Sequence, residues 1–353
     1  MNKRILLLLF VVSLLSIVFV GCSNSEGTSS SGTPASSSDT TDSKKPTYTL
    51  RVGHVLTEQD PFHQAFEKWA EAVSEKTDGD LLVEIYPSAQ LGVEEDVLEQ
   101  MRQGSNVGWQ TDAARLGNYV NEISVLNAPY FLDNLDDVKK LQDSEAVGEW
   151  KKKLEDEFGI KVISFAYVQG HRNVFSNKTG KNPDDFKSMM IRTAGAPIWV
   201  ESIKSLGSEA VALPYGDLYN GIQTKVVDGA ELPYTAAYNL SIHEVAKYIL
   251  ETKHIYLMNF VVSSADWFNK LPEEYQTILI DEANNAGFEV SEQLQANAET
   301  HKQALIDKGM IYIPHEDLDI DAFKKAGQAA YDALNLNEAR KKVYEELGKT
   351  IVE

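Results

Sequence analysis

The segment that follows Pro272 constrains the fold more than any other part of the chain, because it contains no further proline before Gly309. Its apolar residues recur every three or four positions, the spacing that places side chains on one face of an α-helix. They are Leu279, Ala283, Ala286, Val290, Leu294 and Ala298. The pattern predicts one long helix, with Gly287 as the position for a bend, that spans two lobes and braces the hinge between them.

Strand and helix patterns alternate in the first part of the chain, which is typical of an α/β sheet. Residues 48–54 alternate like a strand, and Pro61 opens a helical pattern. Residues 81–86 form a second strand, and a second helix follows in residues 93–101. A chain of 353 residues is longer than most single domains, so we predict two lobes.

Two later apolar strands divide the chain between these lobes. Residues 160–167 lead to Gly170, the predicted crossing point, and residues 255–262 carry the chain back. We predict lobe I from residues 46–169 and 258–297, and lobe II from residues 170–257 and 298–353. Further helices are predicted from apolar spacing at residues 135–158, 245–250 and 322–352.

The N-terminus has the pattern of a secretory signal peptide over residues 1–21. Lys3 and Arg4 precede an apolar run, residues 5–20, that is shorter than a membrane span. Cys22, the only cysteine, follows Gly21 as in a bacterial lipobox, although Phe19 stands where that motif has an aliphatic residue. We predict a lipidated Cys22 that begins a flexible Ser/Thr/Gly-rich linker over residues 22–45. An ordinary signal peptide or a single-span anchor is the alternative, and a lone cysteine excludes a disulfide framework.

The charge balance argues against nucleic acid as a partner. The chain has 33 Lys+Arg against 53 Asp+Glu, a net charge of −20, whereas nucleic-acid affinity comes mostly from neutralising phosphates. An acidic body also repels anionic ligands at long range. Any anion site must therefore act through arginines at short distance.

Two arginines, Arg172 and Arg192, lie where short apolar runs give way to a turn or to the start of a helix. A guanidinium grips a carboxylate with two parallel charge-assisted hydrogen bonds. Arg192 also precedes a helix predicted to begin near Pro197, whose N-terminal N–H groups favour an anion. With Tyr215 close behind, the segment predicts a site for an organic anion. The alternative for Arg192 is a surface or hinge salt bridge.

Further candidates lie at predicted strand ends of the first lobe, where ligands bind in α/β sheets. These are His54, Trp109 and Asp112, and a hydrogen-bonded bystander role is the alternative for His54. The sequence has no nucleophile elbow, no zinc-binding His-Glu-x-x-His helix, no Walker loop and no dinucleotide fingerprint. We therefore predict a protein that is not an enzyme and needs no cofactor or metal.

Several segments together resemble the solute-binding subunit of tripartite ATP-independent periplasmic (TRAP) transporters, the DctP-like family. The similarity covers nearly all of residues 48–353. It rests on Val52-Gly53-His54, Pro61-Phe62-His63, LVEIYPSAQL at residues 82–91, Gly170-His171-Arg172, Ile191-Arg192-Thr193, Leu206-Gly207, Asp217-Leu218-Tyr219 with Gln223, residues 226–231, residues 244–248 and residues 267–272.

The resemblance implies an α/β, periplasmic-binding-protein-like fold whose two lobes close on a small organic acid, a mono- or dicarboxylate. It implies that Arg192 grips the ligand carboxylate and that Arg172 lies beside it. Asp112 and Glu94 match positions that contact ligand through polar groups or water, and Tyr215 matches an aromatic that packs on the ligand. Where the family often has asparagine, this chain has Leu232, which favours a less polar or shorter acid.

The resemblance also implies the partners. They are a small organic acid, a TRAP membrane permease driven by an ion gradient and, through the lipid anchor, the outer face of the membrane. A sensor subunit that reports the same ligand to a membrane receptor is the alternative function, and a secreted hydrolase on a similar scaffold is a third. A calcium ion that bridges the ligand, as in parts of the family, stays open.

Overall fold

One mixed β-sheet with helices packed around it organises the protein, whose computed structural model describes residues 45–351. In that part of the chain the strands are β1 (Tyr48–Gly53), β2 (Leu81–Tyr86), β3 (Val107–Asp112), β4 (Ile160–Ser176), β5 (Met190–Thr193), β6 (Glu209–Ala212), β7 (Gly229–Leu232), β8 (Tyr248–Ser264) and β9 (Ile311–Ile313). The α-helices are α1 (Pro61–Lys76), α2 (Glu94–Arg102), α3 (Ala113–Leu116), α4 (Leu135–Lys140), α5 (Glu145–Phe158), α6 (Pro183–Phe186), α7 (Pro197–Ser205), α8 (Leu218–Gln223), α9 (Tyr234–Asn239), α10 (Ala265–Phe268), α11 (Glu273–Asp307), α12 (Ile320–Ala333) and α13 (Asn337–Leu347). Short 3-10 turns lie at Asn121–Asn127, Leu141–Asp143, Tyr215–Asp217, Ile242–Glu244 and His315–Asp317.

The sheet consists of two parallel wings joined by a long antiparallel pair. Its strand order is β2-β1-β3-β8-β4-β7-β5-β6, and β9 pairs with β8. Strands β1, β2 and β3 run parallel, as do β5, β6 and β7. β4 and β8, of 17 residues each, pair antiparallel along their length and connect the wings. The predicted α/β fold with two lobes is therefore confirmed.

The central strand pair is irregular near the predicted crossing point. The register of β4 against β8 shifts at several places, among them between Val168 and Gly170. Gly170 has φ +86°, in the left-handed region that favours glycine. Residues of β4 before Gly170 pair with the second half of β8, and residues after it pair with the first half. The assignment of residues to each lobe stays a prediction.

The long helix is confirmed as α11, which has 35 residues. Its first half packs in one apolar core with α1 and β2, and Leu305 near its end packs in another core with β7 and α9. Gly287 allows close approach to β4, since a Cβ there would lie 2.8 Å from the Cβ of Ala166. Ser291 then ties the helix to β4, donating to the Ala166 carbonyl and accepting from the Val168 N–H, both at 2.7 Å.

Three predicted helices differ from the structure. The helix predicted for residues 245–250 is wrong. Strand β8 begins at Tyr248, and its residues Ile249 and Leu250 are buried between β4 and β9. A fully buried strand is a continuous apolar run, which spacing alone does not distinguish from a buried helix. Residues 135–158 form α4 and α5, because Ser144 caps a new helix by accepting from Val147 N. Residues 322–352 are likewise divided into α12 and α13, at Asn335 with φ 56°.

The predictions for the N-terminus lie outside the described residues. These are the signal peptide, the lipidated Cys22 and the linker up to residue 44. Among residues 45–351, no helix combines the length and the apolar character needed to cross a bilayer.

Candidate functional site

A cavity of about 510 Å³ lies where the two wings of the sheet face each other. One wall comes from the loop after β1, the start of α2 and the end of β3. The other wall comes from the middle of β4, the end of β5, the start of α7 and the segments that follow β6 and β7. The predicted site residues that line it are Glu94, Asp112, Arg172, Arg192 and Tyr215. The fold thus brings together residues from both predicted lobes.

Arg192 is a buried cation at this cavity. It lies in β5, between Ala230 of β7 and Val211 of β6, with 2% of its surface exposed. Its Nε and Nη2 both donate to the Leu213 carbonyl oxygen, at 2.9 and 2.7 Å. No carboxylate oxygen of residues 45–351 lies within 4.0 Å of its guanidinium nitrogens. Nη1 and one N–H of Nη2 are therefore available to a ligand.

Burial lowers the pKa of Arg192 to about 10, partly opposed by Glu231 and reinforced by Arg172 and Arg115. This pKa is still well above 7, so the guanidinium remains charged at neutral pH. A buried charge of this kind costs several kcal/mol unless something compensates it. An anion in the cavity would supply that compensation.

Arg172, in β4, has its own counter-charge. Its Nε donates to Glu231 Oε2 and its Nη2 donates to the Glu231 backbone carbonyl at 2.6 Å. The guanidinium also lies over the ring of Trp199, 4.4 Å from its centroid. Although burial alone would raise it, the pKa of Glu231 is lowered to about 2, mainly by Arg172. Arg172 is thus held in place by a buried salt bridge.

Glu231 has further partners that fix its orientation. Its Oε1 accepts from Thr193 Oγ1 at 2.8 Å, and Nε2 of His254 lies 3.7 Å from its Oε2. The Nη1 group of Arg172 has no hydrogen-bond partner in the part of the chain that the structure describes. It is therefore a second donor available beside Arg192.

The opposite wall carries a third arginine, Arg115, that no sequence pattern singled out. It lies 2.6 Å from Asp112, 3.2 Å from Glu94 and 3.4 Å from Glu95. Burial would lower the pKa of Arg115, but these carboxylates together raise it. The pairing of Asp112 and Arg115 at i,i+3 across the start of α3 is the only signal that would have indicated it.

Glu94 and Asp112 are buried carboxylates with protein partners. Glu94 accepts from Thr111 Oγ1 at 2.6 Å, and burial raises its pKa to about 7, opposed mainly by Arg115. Asp112 caps α3 by accepting from Arg115 N and also accepts from Trp199 Nε1 at 3.2 Å. This buried bond joins one residue of each wall.

A second bond connects the walls away from the cavity. Asn239, at the end of α9, donates to Asp60 Oδ2, just before α1, at 3.1 Å. Tyr215 is half-buried and packs against apolar residues of both walls. Its hydroxyl has no hydrogen-bond partner within residues 45–351, and burial raises its pKa, so it stays a neutral donor.

The structure does not bring Trp109 and His54 to the cavity wall. Trp109 is fully buried, and its ring fills the space where a Cβ of residue 53 would sit, 2.3 Å away, which is why glycine is needed there. His54 Nε2 lies 3.0 Å from His63 Nδ1, and its Nδ1 accepts from Leu56 N. Burial lowers the pKa of His54 to about 3, so this neutral ring supports the loop that lines the cavity.

No group of three or more His, Cys, Asp or Glu side chains that could hold a metal ion occurs within residues 45–351.

Comparison with known proteins identifies similar chains. Residues 52–337 match the family model DctP, described as bacterial extracellular solute-binding protein, family 7. A solute-binding protein of Roseobacter denitrificans is 27% identical over 300 residues, which are 85% of this chain and 90% of the relative.

Two solved structures are also similar. One is a TRAP periplasmic solute-binding protein of Escherichia fergusonii in an apo open form, with 30% identity, a TM-score of 0.75 and coverage of 84% of this chain and 99% of that one. The other is a TRAP periplasmic solute-binding protein of Roseobacter denitrificans with bound L-galactonate, with 26% identity, a TM-score of 0.78 and coverage of 85% and 99%.

Proposed function

The chain belongs to the DctP family of bacterial extracellular solute-binding proteins, family 7, and on this premise we propose that Arg192 binds the carboxylate of its ligand. Members of the family bind small organic acids and work with a TRAP membrane permease. We propose that this protein captures such an acid between its two lobes and delivers it to the permease.

The observation that carries the proposal is the burial of the Arg192 guanidinium together with its hydrogen-bond partners. Its guanidinium is buried at the cavity, and its donors reach a backbone carbonyl, with no carboxylate partner among the described residues. A ligand carboxylate would form charge-assisted hydrogen bonds worth roughly 1.5–3 kcal/mol each. Two such bonds with apolar enclosure are enough for a Kd near 1 μM, which requires about −8 kcal/mol.

The surrounding groups support the same position for the carboxylate. The N-terminus of α7 follows Arg192 closely, and Ala194 and Gly195 of that connection line the cavity. Backbone N–H groups at a helix start favour an anion. Arg172 Nη1 and the Tyr215 hydroxyl supply further donors on the same wall.

Closure of the lobes would bury the ligand. Domain closure around a ligand uses a few residues at the ends of elements as the hinge. The irregular centre of the β4–β8 pair at Gly170 is suited to this role, and the bonds Trp199–Asp112 and Asn239–Asp60 would hold the closed form.

We also propose that the mature protein is held at the outer face of the membrane by lipid on Cys22. Support comes from the sequence alone, in the signal-peptide pattern and the position of the single cysteine. Expression in a bacterium with mass spectrometry of the mature N-terminus tests it. A diacylated Cys22 supports the proposal, and cleavage elsewhere contradicts it.

The arginine proposal is tested by titration calorimetry of Arg192→Ala with the carboxylic acid that gives the largest thermal shift in a panel. An unpaired ligand carboxylate in the closed site costs about 3–5 kcal/mol, so affinity should fall roughly 100-fold to several thousandfold. Arg192→Lys should also bind poorly, since an ammonium does not replace a planar fork.

The matched control is Lys187→Ala, which removes an exposed positive charge that does not line the cavity. It should leave affinity unchanged. Unchanged affinity in Arg192→Ala would remove Arg192 from the site. Conversion of the acid during incubation would instead indicate an enzyme.

A further inference from the structure

The cavity that holds Arg192 is walled mainly by apolar side chains. They come from separate segments of both lobes and include Val55, Leu56, Leu213, Leu232, Ala236 and Leu257. Enclosure of apolar ligand surface by such walls favours binding, by about fourfold for each methylene group removed from water. The part of the ligand beyond its carboxylate therefore meets a hydrophobic surface.

The charges at the cavity accommodate one negative group. Three cations line it, and two of them have protein counter-charges, Arg115 with Asp112 and Glu94, and Arg172 with Glu231. Arg192 is the one lining cation that has no carboxylate partner within the described part of the chain. Glu94, Glu95 and Asp112 also line the cavity, and a second ligand carboxylate close to them would be repelled.

The buried carboxylates of Asp112 and Glu94, on the wall opposite Arg192, are occupied by protein partners. Both oxygens of Asp112 accept from Arg115 or Trp199. Glu94 accepts from Thr111 and forms an ion pair with Arg115. A buried ligand hydroxyl that finds no partner costs binding free energy. The lining side chains of Thr57, Gln169 and Tyr215 have no hydrogen-bond partner within residues 45–351. A ligand with more hydroxyl groups than these few can bind would leave some of them without partners.

The amide of Asn259, which also lines the cavity, is bound by other residues of the protein. Its Oδ1 accepts from Gln110 Nε2 at 2.9 Å and its Nδ2 donates to the Tyr167 carbonyl at 3.3 Å. The chain of bonds fixes both amides and leaves Gln110 Oε1 as a buried acceptor without a donor in residues 45–351. Because that oxygen is itself buried, these two amides add no unpaired acceptor to the surface of the cavity, which favours a sparsely hydroxylated ligand.

We infer that the ligand is a monocarboxylate with an apolar body, and that the site discriminates against dicarboxylates and polyhydroxylated sugar acids. The inference rests on the proposed function, since it takes Arg192 as the carboxylate position. It separates this chain from its relative with bound L-galactonate, a polyhydroxylated acid.

The test uses three acids of the same chain length: hexanoate, adipate and gluconate. Calorimetric titration of the ligand-free protein should show hexanoate binding at least tenfold more tightly than either of the others. In the series from butanoate to hexanoate, affinity should rise about fourfold per methylene. Tighter binding of adipate or gluconate, or of a 2-amino acid of the same length, overturns the inference.

Two variants test the role of the apolar wall. Leu232→Asn places an amide in that wall and should reduce the preference for hexanoate over gluconate at least fivefold. Ala236→Ser is the milder substitution if Leu232→Asn fails to fold, and it should shift the same ratio by about twofold. The matched control is Ala237→Ser, at the next position of α9, which is buried but does not line the cavity and should leave the ratio unchanged.

Failure of the inference is distinguishable from failure of the proposed function. If acids bind and Arg192→Ala abolishes their binding, but gluconate or adipate binds more tightly than hexanoate, the inference alone is wrong. If hexanoate does not bind while another acid binds through Arg192, the inference is also wrong. If every acid binds equally to wild type and Arg192→Ala, the proposed function itself is contradicted.

Discussion

The two walls of the cavity each hold a buried arginine in a different electrostatic state. Arg115 lies against Asp112, Glu94 and Glu95, all within 3.4 Å. Arg192, on the other wall, donates to the Leu213 carbonyl and has no carboxylate partner within residues 45–351. A buried cation without a carboxylate partner, more than an arginine as such, is therefore the feature that predicts a site for an anionic ligand.

The physical reason is the cost of burying a charge. A carboxylate partner offsets much of the cost of burying an arginine. For a buried arginine without such a partner, an anionic ligand would offset that cost. Sites that bind ligands are commonly less stable than they could be for this reason. Arg172 lies on the same wall as Arg192 but is paired with Glu231. It lines the cavity, and its salt bridge also holds the two strands of that wall together.

The largest expected effect contrasts Arg172 with Arg192 in the ligand-free protein. Arg172→Met leaves the buried Glu231 carboxylate without its main partner and should lower the free energy of unfolding by about 3–5 kcal/mol. Arg192→Met removes a buried charge that the described residues leave unpaired, and should not lower it. Urea unfolding at pH 7 measures both. Equal destabilisation by the two variants would contradict the difference in pairing between Arg172 and Arg192.

The ion pair of Arg172 and Glu231 predicts how the free energy of unfolding depends on pH. Because its pKa is lowered from 4.5 to about 2, Glu231 contributes stability that is present above pH 4.5 and is lost as the pH falls through 2. Arg172→Met should weaken this acid dependence. Unfolding midpoints between pH 5 and pH 2 check it, with Arg192→Met as the control that retains it.

A smaller effect is expected on the wall that holds Arg115, where the protonation of Glu94 should change the affinity for the ligand. Glu94, with a pKa of about 7, faces Arg115, Asp112, Thr111 and Glu95. A bound anion favours protonated Glu94, so affinity for a carboxylate should fall as the pH rises from 6 to 8. The expected change is about threefold to tenfold, roughly 0.7–1.4 kcal/mol of repulsion. Calorimetry across this range measures it.

Glu94→Gln should make the affinity nearly independent of pH in that range, because the titrating group is gone. Glu95→Gln, at a neighbouring and more exposed carboxylate, should keep the dependence. A pH dependence that persists in Glu94→Gln would assign it to another group.

The smallest effect tests whether the two walls are held together away from the ligand. Asn239→Ala removes the bond to Asp60, and neither residue lines the cavity. Affinity should fall about threefold, as for one hydrogen bond with a net contribution of roughly 0.7 kcal/mol. Asn285→Ala, at an exposed position of α11, is the matched control. A weakened affinity in both variants would contradict a specific role in closure.

Some elements were predictable because their determinants are close together in sequence. The apolar spacing after Pro272 gives α11, and Pro61 opens α1. Residues 81–86 form β2 with the predicted bounds. Residues 245–250 were not predictable in this way, since a buried strand between two others carries no period. Trp109 was predicted as a residue of the site, but it lies within β3, and its packing on Gly53 depends on a partner distant in sequence.

The amino-acid sequence was enough to predict the periodic elements, the α/β class and Arg172 and Arg192 as candidate site residues. Which arginine has a counter-charge is visible only in the folded chain, because Arg172 and Glu231 are 59 positions apart. The Asp112–Trp199 bond likewise joins residues 87 positions apart. Secondary structure follows from interactions within a few residues, whereas electrostatic pairing depends on distance in space, which the chain sets only when it folds.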